Sequence, residues 1–383
     1  MAAPRLIQLE SVHDIRACAG AWDDLWLRSD VTLPVSRAEL VAQWLEMIAP
    51  LASVRVLAVE QDDQLVAALP LLGGRVKRLL PAGRLPTNDW SWAGDLLVDA
   101  SADVDSAVEL LAAAVGRLPW PLVWLEGVAL ESARWQAFAA ALESAGLAID
   151  SSEQFRVGQI EIGDDWSAYK ATWSGNHRHQ MQRMASRAKK EGCTTLVVLR
   201  DVRPDQVESL LRRGFEVECR SWKGAEGTAV LKSPEMFGFY CRQARQLAAW
   251  GQLQLTYLEL GGRAIAFEYG WNAKGVYCSP KVGYDEAFRR LSPGQLLRYE
   301  LLERFFADSE QRRFDFVGPL AEATARWSTG TYSIGRLVVG TERRGGRALM
   351  GLLRKYWGWK RRGNSKVGEG AENELVPTPE GVG

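Results

Sequence analysis

The residues most suited to chemistry fall in the second half of the chain. Arg289, Arg290, Ser292, Gly294 and Gln295 belong to the run ArgArgLeuSerProGlyGln between an apolar strand pattern and an apolar helix pattern. Ser292 stands where a helix N-cap belongs and Pro293 where the first helical residue belongs. A helix start presents free N–H groups, and two arginines beside it suit a phosphate or pyrophosphate. Read structurally, the same run is a capped helix with solvated arginines. Pro280, in the strand pattern just before, cannot donate to a sheet ladder. It marks an edge, or a bulge that leaves backbone groups free for a ligand.

Three more segments carry polar groups in ordered patterns. In the run from Asn176 to Glu191, His179, Arg183 and Arg187 fall four residues apart and form a basic helical stripe; Arg178 lies beside it. Such a stripe serves either as an anion-binding face or as a solvated one. Glu218, Trp222 and Lys223 end a helix pattern at a glycine-rich loop, a helix terminus or a cleft wall. Glu268 alternates to the face opposite Phe267, Tyr269 and Trp271, so it faces solvent or a cleft; in a cleft it is a candidate base. Trp90, Trp92, Trp120 and Trp124 cluster in the first half and read as core or interface residues.

Composition narrows the classes. The 383 residues have a formal net charge of zero, 47% apolar and 25% charged residues, a globular balance with no global field for nucleic acid. Length suits two domains and a tail. Five cysteines without CxxC spacing argue against a disulfide framework or a zinc site. With three histidines a His-rich metal site is excluded, and any Ser-His-Asp triad must use His13, His177 or His179. The N-terminus lacks the pattern of a signal peptide, and no apolar run is long enough to span a bilayer. The expected location is cytoplasmic.

Helix and strand patterns must position these residues. The first half predicts helices at 14–28, 37–49, 104–117 and 131–145, and strands at 54–60, 64–72 and 121–126. The second half predicts strands at 155–162, 194–200, 253–259, 264–271, 276–283 and 313–317, the last closing the core. Its helices fall at 166–191, 204–220, 234–250 and 293–307. The run VRVLAVEQDDQLVAALPLL from Val54 matches LQLTYLELGGRAIAFEYGW from Leu253 in length, alternation and turn position. An internal duplication follows, with the boundary near 150–153. The expected units are 1–152, 153–342, and a final stretch 343–383. That stretch is basic and amphipathic over 343–362, could lie on anionic lipid or dock on the fold, and is expected to be disordered beyond.

From about 173 to 327 the chain resembles the FemAB-like, CelD-type branch of the GNAT acetyltransferase superfamily. The resemblance rests on Asn176, Arg178, Arg183, Arg187 and Gly192, then Glu218, Trp222, Lys223, Gly224, Gly227 and Thr228. Ala266-Phe267, Gly283-Tyr284-Asp285, Ser292-Pro293-Gly294, Phe314-Asp315-Phe316 and Arg326-Trp327 follow in order. Two departures stand out: Thr324 where the family often carries lysine, and a glycine displaced to Gly318.

The resemblance implies an α/β (α+β) fold of two tandem GNAT-like domains, each a mostly antiparallel sheet flanked by helices. It implies acyl transfer from acetyl-CoA to an amine, on a cell-envelope or exopolysaccharide precursor, without a metal. Within that frame Glu218 or Glu268 is the expected base and Tyr284 the acid for the leaving thiolate. Arg289, Arg290, Ser292, Gly294 and Gln295 are expected to hold the CoA pyrophosphate. Arg178, Arg183, Trp222, Lys223 and Asp315 are expected on the acceptor. The first half is expected to shape the acceptor cleft without binding CoA. Two rivals are an aminoacyl-tRNA-dependent transferase, disfavoured by zero net charge, and a non-catalytic accessory protein of polysaccharide synthesis, favoured by Thr324.

Overall fold

The structure, a computed structural model, describes residues 3–100, 104–192, 194–308, 310–343 and 345–364. The first half runs β1 (Arg5–Leu9), α1 (Val12–Ala17), α2 (Ala19–Arg28), α3 (Ala38–Ile48), β2 (Val54–Gln61), β3 (Gln64–Val76), β4 (Leu80–Arg84), β5 (Leu97–Val98), α4 (Val104–Gly116), β6 (Leu122–Ala129), α5 (Ala133–Ser144) and β7 (Ala148–Glu161). The second runs α6 (Trp166–Ala171), α7 (Gly175–Glu191), β8 (Thr194–Leu199), α8 (Val207–Cys219), α9 (Trp222–Ala225), α10 (Pro234–Ala249), β9 (Leu253–Leu260), β10 (Arg263–Ala273), β11 (Val276–Tyr284), α11 (Pro293–Ala307), β12 (Arg313–Pro319), α12 (Glu322–Ala325), β13 (Gly330–Gly340) and α13 (Gly346–Asn364).

All strands join one sheet in the order β1-β2-β3-β4-β6-β13-β7-β12-β11-β10-β9-β8, with β5 paired to β3. Pairing is antiparallel except at β4–β6 and β11–β12. Read inward from each edge, β1-β2-β3-β4-β6 and β8-β9-β10-β11-β12 repeat one plan, which is the duplication legible at 54–72 and 253–271. The mixed, mostly antiparallel class holds, but the two sheets meet edge to edge. The meeting point corrects one expectation: 313–317 does not close the core. Strand β13, not anticipated, pairs with β6 on one side and β7 on the other. The 152/153 boundary falls inside β7, which continues to Glu161.

Helices cover both faces because β3 and β10 are apolar on both sides. On one face α1–α3, α8 and α10 share a core that runs through Trp22, Trp26, Trp44, Phe215 and Tyr269. α13 sits on that same face, over Leu122, Trp124 and Val338. The opposite face carries α4 and α5 in the first half, and α6, α7 and α11 in the second. Two predicted helices are broken. Residues 14–28 divide at Cys18, and 166–191 divides before Ser174, whose side chain caps α7 by accepting from the His177 N–H. The expected tail beyond 364 lies outside the described residues.

Candidate active site

The parallel pair β11–β12 is short. Val276, Tyr277 and Cys278 align with Arg313, Phe314 and Asp315, and there the pairing stops. Two irregularities part the strands. On β11, Tyr269 opposes Lys281 but Trp271 opposes Cys278, so Ser279–Pro280 contribute one extra residue, a bulge. Pro280 therefore marks a bulge in an interior strand, not an edge. On β12, Val317 adopts a left-handed φ of 57°. A β-branched residue pays for that conformation in Cβ–carbonyl crowding, a cost of roughly 1–2 kcal/mol. Asp315 holds the bend: its carboxylate accepts from the Val317 N–H at 2.7 Å, Gln159 Nε2 at 3.0 Å and the Tyr332 hydroxyl at 3.3 Å. Burial pushes the Asp315 carboxyl above its ordinary range. From Ser279 onward the β11 edge that faced β12 has no strand partner among the described residues.

One cavity opens at this gap, and a second lies on the opposite face of the sheet. On the face shared with α10 lies one of about 250 Å³, lined by Trp90, Trp92, Tyr240, Gln243, Lys281 and the 316–319 segment. Its outer wall is a first-half loop. The Tyr240 hydroxyl donates to the Trp90 carbonyl at 2.8 Å and fixes that loop over the second half. Lys281 extends into the cavity. Its ammonium lies 4.7 Å from the Trp90 ring centre and 5.6 Å from that of Tyr240, and makes no hydrogen bond among the described residues. Burial, then the neighbouring Lys223 charge, lower its pKa to about 8.

On the other face, α7, α11 and α12 enclose about 340 Å³ lined by Arg183, Arg187, Arg290, Ser292, Gln295 and Arg326. α11 begins here. Ser292, itself left-handed with φ 51°, makes no side-chain cap, and the Gly294 N–H has no acceptor among the described residues. A helix N-terminus with a free N–H, ringed by four guanidinium groups, suits a diphosphate. Tyr284 ends β11 next to Gly294 and packs in the core on this side. Burial and Glu286 raise its pKa, so it stays protonated.

The expected residues thus divide. Arg183, Arg290, Ser292 and Gln295 share the arginine cavity, with Gly294 and Tyr284 at its rim. The Gln295 Oε1 also accepts from Trp327 Nε1 at 2.7 Å, which ties the cavity to the aromatic core. Arg289 points outward, three-quarters exposed. Arg178 lines a separate surface hollow with Trp173 and Tyr299. Trp222 is half exposed, outside both cavities.

Glu218 and Glu268 line neither cavity. Glu218 is buried, with one oxygen accepting from Lys223 Nζ at 2.9 Å and the other from the Val230 N–H at 3.0 Å. Lys223 also donates to the Val282 carbonyl at 2.9 Å, so the pair braces the glycine loop against β11. Glu268 is buried on the α11 face and accepts from the Tyr277 hydroxyl at 2.6 Å; burial raises its pKa. The Thr324 hydroxyl accepts from the Ala321 N–H and donates to the Ala321 carbonyl, which caps the start of the short α12. His177 packs between the Trp173 and Trp327 rings, 4.7 Å from each, and burial lowers its pKa to about 4, so it is a neutral core residue.

Sequence reasoning missed Lys281 and Val317, and gave Arg326 no role beyond its part in the resemblance. Lys281, the one charged residue in the strand pattern 276–283, was itself a signal. Val317 gave none, because only the tertiary bend makes its φ positive. Among the described residues no cluster of His, Cys, Asp or Glu could hold a metal ion, and no helix is long and apolar enough to cross a membrane.

No curated protein matches the sequence. Among solved structures, FemX aligns over 90% of this chain and 100% of its own, at 9% identity and a TM-score of 0.59. The C-terminal domain of a protein assigned as a lysylphosphatidylglycerol synthetase from Agrobacterium fabrum aligns over 88% and 95%, at 12% identity and 0.51. A conserved protein of unknown function from Bacteroides thetaiotaomicron aligns over 86% and 97%, at 11% identity and 0.51. These likenesses concern the fold. The family model for the acetyltransferase (GNAT) domain matches residues 175–361, a span that includes β11, β12 and the residues of the arginine cavity but not the Trp90 loop. Over that span the chain is similar to GNAT acetyltransferase domains.

Proposed function

We propose that this protein transfers an acyl group, in the first place acetyl, from acyl-CoA to an amine. The observation that carries the reading is the parted β11–β12 pair with an arginine-ringed helix start on one side and a tryptophan-walled cavity on the other. Arg183, Arg187, Arg290 and Arg326, with the Gly294 N–H, would hold the diphosphate. The unpaired β11 edge would accept the extended arm in the manner of a strand. When bound, acyl-CoA supplies a thioester, which an amine can cleave without a metal.

The acceptor enters from the Trp90–Lys281 side. An amine is a nucleophile only when neutral, so its ammonium must lose a proton. Lys281 takes that proton, in the role the sequence suggested for Glu218 or Glu268. The amine nitrogen then bonds to the thioester carbonyl carbon, the carbon–sulfur bond breaks, and Tyr284 gives a proton to the departing thiolate. The net change is one amide, one free thiol and one released proton. Trp90 and Trp92 offer flat faces that suit a sugar ring, which supports an amino-sugar-bearing precursor as acceptor.

Calorimetric titration with acetyl-CoA tests the donor side. Saturable binding is expected, with Arg183→Ala/Arg290→Ala at least about tenfold weaker, since a charge-assisted bond is worth roughly 1.5–3 kcal/mol. No heat from a folded protein, or no loss in the double variant, rejects the reading.

A further inference from the structure

Seven large apolar side chains are strongly exposed among the described residues, and four of them share one place. Leu352, Tyr356 and Trp359 stand 64%, 45% and 73% exposed, spaced by four and three along one side of α13. That spacing puts them on one stripe. It is not the stripe that docks the helix. Leu349, Met350, Leu353 and Trp357 do that, packing on Val76, Leu80, Leu122 and Trp124. The fourth is Leu79, 75% exposed, at the tip of the β3–β4 hairpin. The hairpin tip lies against the helix, with the Lys77 ammonium 5.2 Å from the Tyr356 ring centre.

Charge surrounds this ridge with one sign. Arg75, Lys77 and Arg78 are exposed on the hairpin, and Arg347, Arg354 and Lys355 on the helix. Neither residues 73–84 nor residues 345–364 include an Asp or Glu. In a chain of zero net charge, that is local segregation, not composition. A soluble partner would be met by a mixed rim, whereas an apolar ridge with a tryptophan, a tyrosine and a purely basic border matches the interface of an anionic bilayer.

We infer that the β3–β4 hairpin and α13 together form a docking surface for anionic lipid membranes. Leu79, Leu352, Tyr356 and Trp359 enter the headgroup–acyl boundary, and the six exposed basic side chains lie over the lipid phosphates. The sequence offers the helix; the hairpin joins only because β4 pairs beside β6 beneath α13. This surface lies apart from the β11–β12 gap, and its occupancy does not require acyl transfer.

Co-sedimentation of the full chain with vesicles decides it: phosphatidylcholine alone against phosphatidylcholine with roughly one third phosphatidylglycerol, a fraction near that of anionic cell membranes. Binding is expected to the second only and should weaken as salt is raised. Lys77→Glu/Lys355→Glu should lower it at least about tenfold, and Leu79→Ser/Tyr356→Ser/Trp359→Ser should abolish it, with unchanged circular dichroism and melting temperature. Absence of binding to anionic vesicles overturns the inference. So does binding that the folded variants retain, or a concentration-dependent dimer that the serine variant dissolves, which would make a second copy the occupant. The test needs no acyl donor, so its outcome stands apart from that of the titration above.

Discussion

Lys281 shows how the surroundings of a residue change its chemistry. On an open strand its ammonium would stay charged far above neutral pH. Here Trp90 and Tyr240 shield it from water, Lys223 adds a like charge, and its pKa falls to about 8. A lowered lysine pKa enlarges the neutral, proton-accepting fraction as pH rises. Acyl transfer should therefore climb with pH through about 8 and level off above it. Lys281→Met and Lys281→Arg should both remove that limb, the first by deleting the base and the second because a guanidinium stays protonated. A pH profile of kcat/KM on an amine acceptor checks this; an unchanged limb in both variants assigns the base elsewhere. Glu218, by contrast, was legible in the sequence as a carboxylate at the end of a helix pattern, but not its role. Only the fold shows both of its oxygens already engaged, by Lys223 and Val230.

At the scale of elements, the gap between β11 and β12 depends on close packing behind it. Gly283 lets α8 approach β11 so closely that an added Cβ would stand 2.7 Å from Glu218 Cα and 2.8 Å from its Cβ. The obstacle is helix backbone, which cannot rotate away. Gly283→Ala should destabilise the chain by about 1–3 kcal/mol, the usual cost of overpacking, and weaken acyl-donor binding because β11 is displaced. Urea denaturation beside the acetyl-CoA titration measures both. Neutral stability in the variant would mean that α8 shifts freely and does not set the strand position. Most elements were readable from their periodicity, α11 among them to the residue. The hairpin pairs were readable because Gln61 to Gln64 and Leu260 to Arg263 bracket polar turns between alternating strands. β13 was not, because Gly330, Ser333, Gly335 and Gly340 interrupt its apolar alternation. Its interior position comes from two flanking strands that supply hydrogen bonds and cover.

For the whole molecule, β13 ties the two halves together. It belongs to the second half in sequence but fills the place between β6 and β7. A first half cut at residue 152 would keep β6 with one edge bare and lose the part of β7 that pairs with β12. Fragments 1–152 and 153–383, expressed separately, should be aggregated or unfolded by circular dichroism, since an exposed interior strand edge invites association. A cooperative melt from soluble 1–152 would show that the first half folds as an independent domain. The Trp90 loop adds to this tie, as the wall of a cavity whose floor belongs to the other half.

By itself the sequence determined the mixed α/β class, the duplication and the arginine-bearing helix start. Each of these rests on local information: alternation, helical spacing, a Ser-Pro-Gly run. The tertiary structure alone decided that the halves share one sheet, that Val317 bends β12 away, that Lys281 rather than a glutamate faces the cavity, and that the hairpin tip meets α13. Those outcomes depend on which strand edges remain open for pairing and on which side chains another segment shields from water. Neither quantity is set by a residue's neighbours in the chain.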